Sequence, residues 1–299
     1  MKGFLIGIFA FVLLSSVATA FGAQDLSIGT PATQTVKILI SENGDAHVIH
    51  IVDPSSNSQQ VIAIRNDFTN LKVMKETGIS SEYGQTSGEK HGFLIFPSKQ
   101  KVLVEYDLKN AATLQDGMWY WDYQYTDDTK LYPPEKADLI FVNGNPIILG
   151  EKKGINCHGC QVKLEYELGS TETIKPVQWE GKKFDVKIIT LGDISSFKFD
   201  QPNKKISFNV NEENKYITLV IPRDLLWNPY TVLLNDTKIL KHEFRSDGEN
   251  VWLSIKPDKK GPVEIIGVSA VPEFPLVSIL ILGSAMIFVA RYKNKFSLH

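Results

Sequence analysis

Two cysteines occur in the 299-residue chain, Cys157 and Cys160, and they flank His158 and Gly159. Thiolates and an imidazole are ligands for copper or zinc, with His91 or His242 as a candidate fourth donor. A c-type haem needs His directly after the second cysteine, and Gln161 stands there instead. A thioredoxin-like dithiol opens a helix inside an α/β unit, whereas strand-like sequence follows Cys160. The favoured reading is a short disulfide, Cys157 to Cys160, whose small ring contributes about 1–2 kcal/mol through loop closure before strain is subtracted. A metal site on Cys157, His158 and Cys160, or redox-active thiols, are the alternatives.

The second chemical feature is the stretch Gly-Met-Trp-Tyr-Trp-Asp-Tyr-Gln-Tyr, residues 117–125. As a strand it sets Trp119, Trp121, Tyr123 and Tyr125 on one face. Exposed, such a row stacks on sugar rings. Buried, it is core, since each ring removes 150–250 Å² from water. Core is the favoured reading, and Trp119, Trp121 and Tyr123 are the candidate ligand contacts under the other. Asp116, Asp122, Asp127 and Asp128 lie nearby without the spacing of a calcium loop, so a solvated turn is expected there.

Motifs for covalent catalysis do not appear. There is no Gly-x-Ser-x-Gly, no His-Glu-x-x-His among the six histidines, and no glycine-rich phosphate loop. His47 and His50 are three apart on an expected strand, so they face opposite surfaces and form no ligand pair. The sequence implies no cofactor and points away from an enzyme.

The elements that would position these residues are strands. Thr35–Val268 is dominated by apolar–polar alternation broken by Gly, Asn, Asp and Pro at intervals near ten residues. Asn43-Gly44 and Asn143-Gly144 are hairpin turn signals. Val102, Val104, Tyr106 and Leu108 share one face of a strand, and Ala111–Leu114 is expected to form a single helical turn. The pattern predicts an all-β fold of two tandem, immunoglobulin-like β-sandwiches, residues 24–152 and 153–270, divided at the charged stretch around Gly150–Gly154. Asn235-Asp236-Thr237 is a candidate glycosylation sequon on a surface turn.

The two ends concern location. Lys2, an apolar run from Gly3 to Val17 and Ala18-Thr19-Ala20 read as a cleaved signal peptide, residues 1–23. Leu276–Ala290 is apolar and is followed by Arg291, Lys293 and Lys295, so the tip belongs in the cytoplasm and the body outside. Without Lys2 and those three cations the chain holds 28 basic against 34 acidic residues. That mild acidity argues against a nucleic-acid partner.

Pro272-Glu273-Phe274 before an apolar helix and a basic tip resembles the PEF-type C-terminal sorting signals of archaea (PEF-CTERM), here residues 271–299. The resemblance implies recognition by an archaeosortase and transfer of the body to a lipid anchor. Pro275 stands where many such signals carry Gly, and a retained transmembrane helix is the alternative. The Phe-Lys-Phe-Asp, Lys-Lys-Ile-Ser-Phe, Ile-Pro-Arg-Asp-Leu-Leu and Pro-Tyr-Thr-Val elements between Ser195 and Glu273 are similar to the membrane-proximal β-sandwich of exported proteins of Thaumarchaeota. The upstream stretches Phe-Pro-Ser-Lys-Gln-Lys-Val-Leu-Val-Glu-Tyr and Met-Trp-Tyr-Trp-Asp-Tyr are similar to the N-terminal parts of such proteins. The family implies no activity. The expected function is therefore a cell-surface, membrane-anchored, non-enzymatic envelope protein with a structural, adhesive or ligand-binding role toward other envelope proteins or glycans. A redox or copper-handling protein centred on Cys157, His158 and Cys160 is the rival.

Overall fold

A computed structural model describes residues 29–86, 91–124, 127–150, 154–159, 161–179, 181–270, 281, 283–287 and 289. The expected signal peptide, the Pro272-Glu273-Phe274 motif and Cys160 lie outside the described residues. Among the described residues no helix is long and apolar enough to cross a membrane.

The body is all-β. Ala46–Val52 shows why: its side chains alternate between fully buried and partly exposed, as a strand with one face on a core requires. Val102, Val104, Tyr106 and Leu108 are likewise all buried. Among the described residues the strands form one six-stranded sheet, a four-stranded sheet, three five-stranded sheets and a two-stranded ribbon.

In the N-terminal part, the six-stranded sheet runs in the order Ile155–His158, Asp128–Tyr132, Gln34–Ile40, Ala46–Val52, Val102–Leu108, Phe68–Lys75. Its neighbours are antiparallel except for Asp128–Tyr132 beside Gln34–Ile40. The four-stranded sheet contains Gln59–Ile62 and Gly92–Ile95. A five-stranded sheet contains Met118–Gln124, Gln161–Glu167 and Leu139–Val142. All three sheets contribute to one buried cluster that includes Val48, Tyr106, Phe93, Trp121 and Leu164.

The turns follow their residues. Asn143 and Gly144 both have positive φ, 51° and 79°, and join two strands paired Val142 to Asn145. That is the two-residue hairpin turn whose twist matches the strands. The Asn43-Gly44 hairpin is longer. Ser41 N–H donates to the Asp45 carbonyl at 2.9 Å, leaving a three-residue loop with Gly44 at φ +81°. Thr113–Gln115 is a strand, not the expected helical turn, because it pairs with Met118–Tyr120 across Asp116-Gly117.

Pairing does not change partner where the sequence suggested. Ile155–His158 pairs with Asp128–Tyr132, and Gln161–Glu167 pairs with Met118–Gln124 and Leu139–Val142. Ile155–His158, with Cys157 and His158, therefore lies inside the N-terminal set of sheets, not at the start of the next. Thr171–Trp179 is the first strand of the C-terminal set, where two five-stranded sheets share a core with Val186, Phe208, Leu219, Leu253 and Ile265. Pro176 lies within that strand, which is an edge of its sheet and tolerates the missing donor.

The two sets of sheets touch. Met118, Phe141 and Tyr216 form a small buried cluster with Tyr120 and Leu139 against it. The Phe141 and Tyr216 rings stack with centroids 3.4 Å apart at 9°. Tyr216 hydroxyl donates to Glu165, and Lys256 Nζ lies 3.0 Å from the same carboxylate.

Candidate ligand pocket

The aromatic strand is core, not platform. Trp121 is 1% exposed, and Trp119 and Tyr123 pack against the same cluster. Trp119 stacks on Tyr166 and Trp121 leans on Tyr123. An exposed row on Trp119, Trp121 and Tyr123 is thus not what the fold builds. The reason is the sheet opposite: the six-stranded layer faces these rings and removes them from water. The other face is only partly wet. Asp122 and Gln124 are exposed, but Met118 and Tyr120 lie under Tyr216 of the C-terminal sheets.

Cys157 and His158 are adjacent on one strand and face opposite ways. Cys157 belongs to the buried cluster and is not a free thiol, while His158 is exposed. The strand alternation prevents both from serving one ion. Among the described residues no group of three His, Cys, Asp or Glu is placed to hold a metal. Asn235 is exposed on a two-residue turn with Asp236, both at positive φ, and its amide nitrogen donates to the Lys260 carbonyl at 3.1 Å.

The feature that the fold does assemble is a cavity of about 540 Å³. Its floor is the six-stranded sheet, through Gln34, Val36, His50 and Thr129. One wall is the strand Gln59–Ile62 and the segment leading to Asp67; Gln124, at the end of the aromatic strand, stands on the other side.

His50 anchors the floor. It is 2% exposed, and both ring nitrogens are engaged. Nε2 lies 2.9 Å from the Tyr106 hydroxyl and Nδ1 3.0 Å from Gln34 Oε1. Tyr106 oxygen accepts the Ile64 N–H at 2.9 Å, and Gln34 Nε2 donates to Asp127 Oδ2 at 2.8 Å. One tautomer satisfies all four contacts: Tyr106 donates to Nε2, and Nδ1–H donates to Gln34. Burial pulls the imidazole down to about pH 3, so His50 is neutral at ordinary pH. It holds Gln34 and, through it, Asp127.

At the rim, Arg65 Nε donates to Asp67 Oδ1 at 2.7 Å, and Nη2 bonds the other oxygen. Nη1 reaches the Asn110 carbonyl and the Tyr123 hydroxyl, each at 3.2 Å. Tyr123 therefore contributes by fixing Arg65. Gln60 and Gln124 also line the cavity, and neither side chain has a hydrogen-bond partner among the described residues. Alternation places His50 inward among Val48 and Val52, the one clue to this site in the sequence, since an inward histidine needs partners. Gln34, Gln60, Arg65, Gln124 and Asp127 carry no such mark.

No family model matches the chain, and no curated protein matches it. Among solved structures, it is similar to an aminopeptidase N family protein from Idiomarina loihiensis at 14% identity and a TM-score of 0.34, over 51% of this chain. The chain spans 32% of that structure's length. At that score the likeness carries no conclusion.

Proposed function

We propose that this chain is a cell-surface, membrane-anchored envelope protein that binds a ligand in its N-terminal sheets and does not turn it over. The pocket carries the binding half of this reading. Cavities of roughly 300–1,000 Å³ with a few convergent polar groups are the usual ligand sites. Here the polar groups hold one another in place: His50, Gln34 and Asp127 in one chain, Arg65 and Asp67 in another. Such mutual fixing suits recognition. Neither hydroxyl is set up as a nucleophile: Thr129 donates to the Asp127 carbonyl at 3.0 Å, and the Tyr106 hydroxyl is committed to His50.

The anchoring half rests on the two ends of the sequence, with export by the N-terminal leader and retention through the PEF-type signal. A Cys157–Cys160 disulfide fits an exported chain, and with Cys157 in the N-terminal core it would brace those sheets.

Ile62 is 48% exposed at the mouth of the cavity. Ile62→Trp should plug the opening without disturbing the core. The full-length variant is expected to keep its melting temperature and lose binding to isolated envelope material. Equal binding by both proteins would remove the pocket from the account. For the anchor, mass spectrometry of membrane-extracted protein should find the chain ending near Pro272–Phe274; an intact Arg291–His299 tail would instead mean a retained span.

A further inference from the structure

We infer that the pocket takes an uncharged, hydroxyl-rich ligand: a hexose-sized unit of a glycan. This rests on the pocket reading above and narrows it to a chemical class.

Charge comes first. Among the described lining residues Arg65 is the one cation, and Asp67 and Asp127 are the carboxylates. An anionic ligand would meet two negative groups and a guanidinium already bound on both sides by Asp67. A cationic ligand would compete with Arg65 for Asp67 and with the Gln34 amide for Asp127. His50 adds no charge. A neutral ligand disturbs none of these contacts.

Hydrogen-bond supply comes next. Gln60 and Gln124 line the cavity from strands of two different sheets, and neither side chain has a hydrogen-bond partner among the described residues. Each offers two donors and an acceptor in one plane. A hydroxyl both donates and accepts, so adjacent hydroxyls of a sugar match the two edges of a carboxamide. An apolar ligand would strip water from both amides and give nothing back, a cost of the size that decides specificity. Val36, Ile62 and Ala63 complete the match, because they present an aliphatic surface to the C–H face of a sugar ring. Peptides also pair with carboxamides, but strand-like peptide capture uses a run of backbone groups at a sheet edge. Here the available groups are side chains carried by two different sheets, which suits a compact ring.

The test is calorimetric titration of the full chain in detergent with short neutral oligosaccharides of glucose, mannose, galactose or N-acetylglucosamine. Gln60→Leu and Gln124→Leu remove the amides at nearly constant shape, and thermal melting checks that both variants fold. Binding by at least one sugar is expected, with a loss of about tenfold in each variant. If no neutral sugar binds, the glycan assignment is overturned. If a peptide or charged ligand binds instead, and the leucine variants weaken it, the pocket stands and only the ligand class is wrong. If sugars bind equally to wild type and both variants, the site lies elsewhere and the pocket reading falls with it.

Discussion

At the scale of single residues, His50 shows how a buried polar group can be tested. Its imidazole is held neutral by burial, well below its ordinary value of 6.5 and down to about 3. Between those values the unfolded chain binds a proton that the folded chain refuses. The His50 contribution is therefore intact above pH 6.5 and is lost as pH falls, by up to about 1.4 kcal/mol per pH unit. His50→Gln keeps a hydrogen-bonding group and removes the titration. Urea unfolding at pH 7 and pH 5 should show a smaller acid loss in the variant than in wild type, and equal losses would contradict the assignment. The alternation of the sequence sends His50 to the opposite face from His47. Its chemistry is hidden because Gln34 is 16 residues away and Tyr106 is 56. Trp119, Trp121 and Tyr123 are the converse case. Their shared face is legible, but whether water or another sheet covers it is a property of a distant segment.

At the scale of elements, the hairpin at Gly44 joins turn chemistry to core packing. A Cβ there would lie 2.4 Å from the Trp119 ring and 2.6 Å from the Ala112 carbonyl, at φ +81°. Gly144 has φ +79° with open space around it. Gly144→Ala should cost about 1–2 kcal/mol, the left-handed backbone penalty alone. Gly44→Ala should cost clearly more, because the carbonyl it meets is backbone and must shift. Equilibrium denaturation of the two variants measures the difference, and equal costs would mean that the Trp119 contact yields freely. Turn positions and strand alternation are local, so they are readable along the chain. Partner choice is not. Gln161–Glu167 reads as a strand from its own residues, yet nothing in them says that it pairs with Met118–Gln124 rather than with the strands that follow.

At the scale of the whole molecule, the contact between the two sets of sheets carries a titrating group of the opposite sign. Glu167 pairs in register with Met118 beside the Phe141–Tyr216 stack, and its Oε1 is buried without a hydrogen-bond partner. Burial pushes its carboxyl up to about 7 from 4.5, although Lys215 and Lys256 oppose the shift. Above pH 7 the folded state holds an uncomfortable charge. As pH falls through 7 the folded state takes up the proton first, so stability rises until about pH 4.5, by at most roughly 3 kcal/mol. Glu167→Gln should be more stable than wild type at pH 8 and should lose this acid gain. The two variants thus shift the pH 5 to pH 7 balance in opposite directions, and a common direction would contradict one of them.

By itself the sequence determined the strand content, the turns at Asn43-Gly44 and Asn143-Gly144, and the inward set Val102, Val104, Tyr106 and Leu108. Each depends on a period of two or on glycine's freedom at positive φ, both of which act between neighbours in the chain. Tertiary structure alone decided that the aromatic row is covered, that Cys157 and His158 part ways, and that Gln34, His50, Arg65, Gln124 and Asp127 meet around one cavity. Those outcomes depend on which sheets face each other, and that choice is set by burying every apolar face at once, a sum over the whole chain that no single stretch contains.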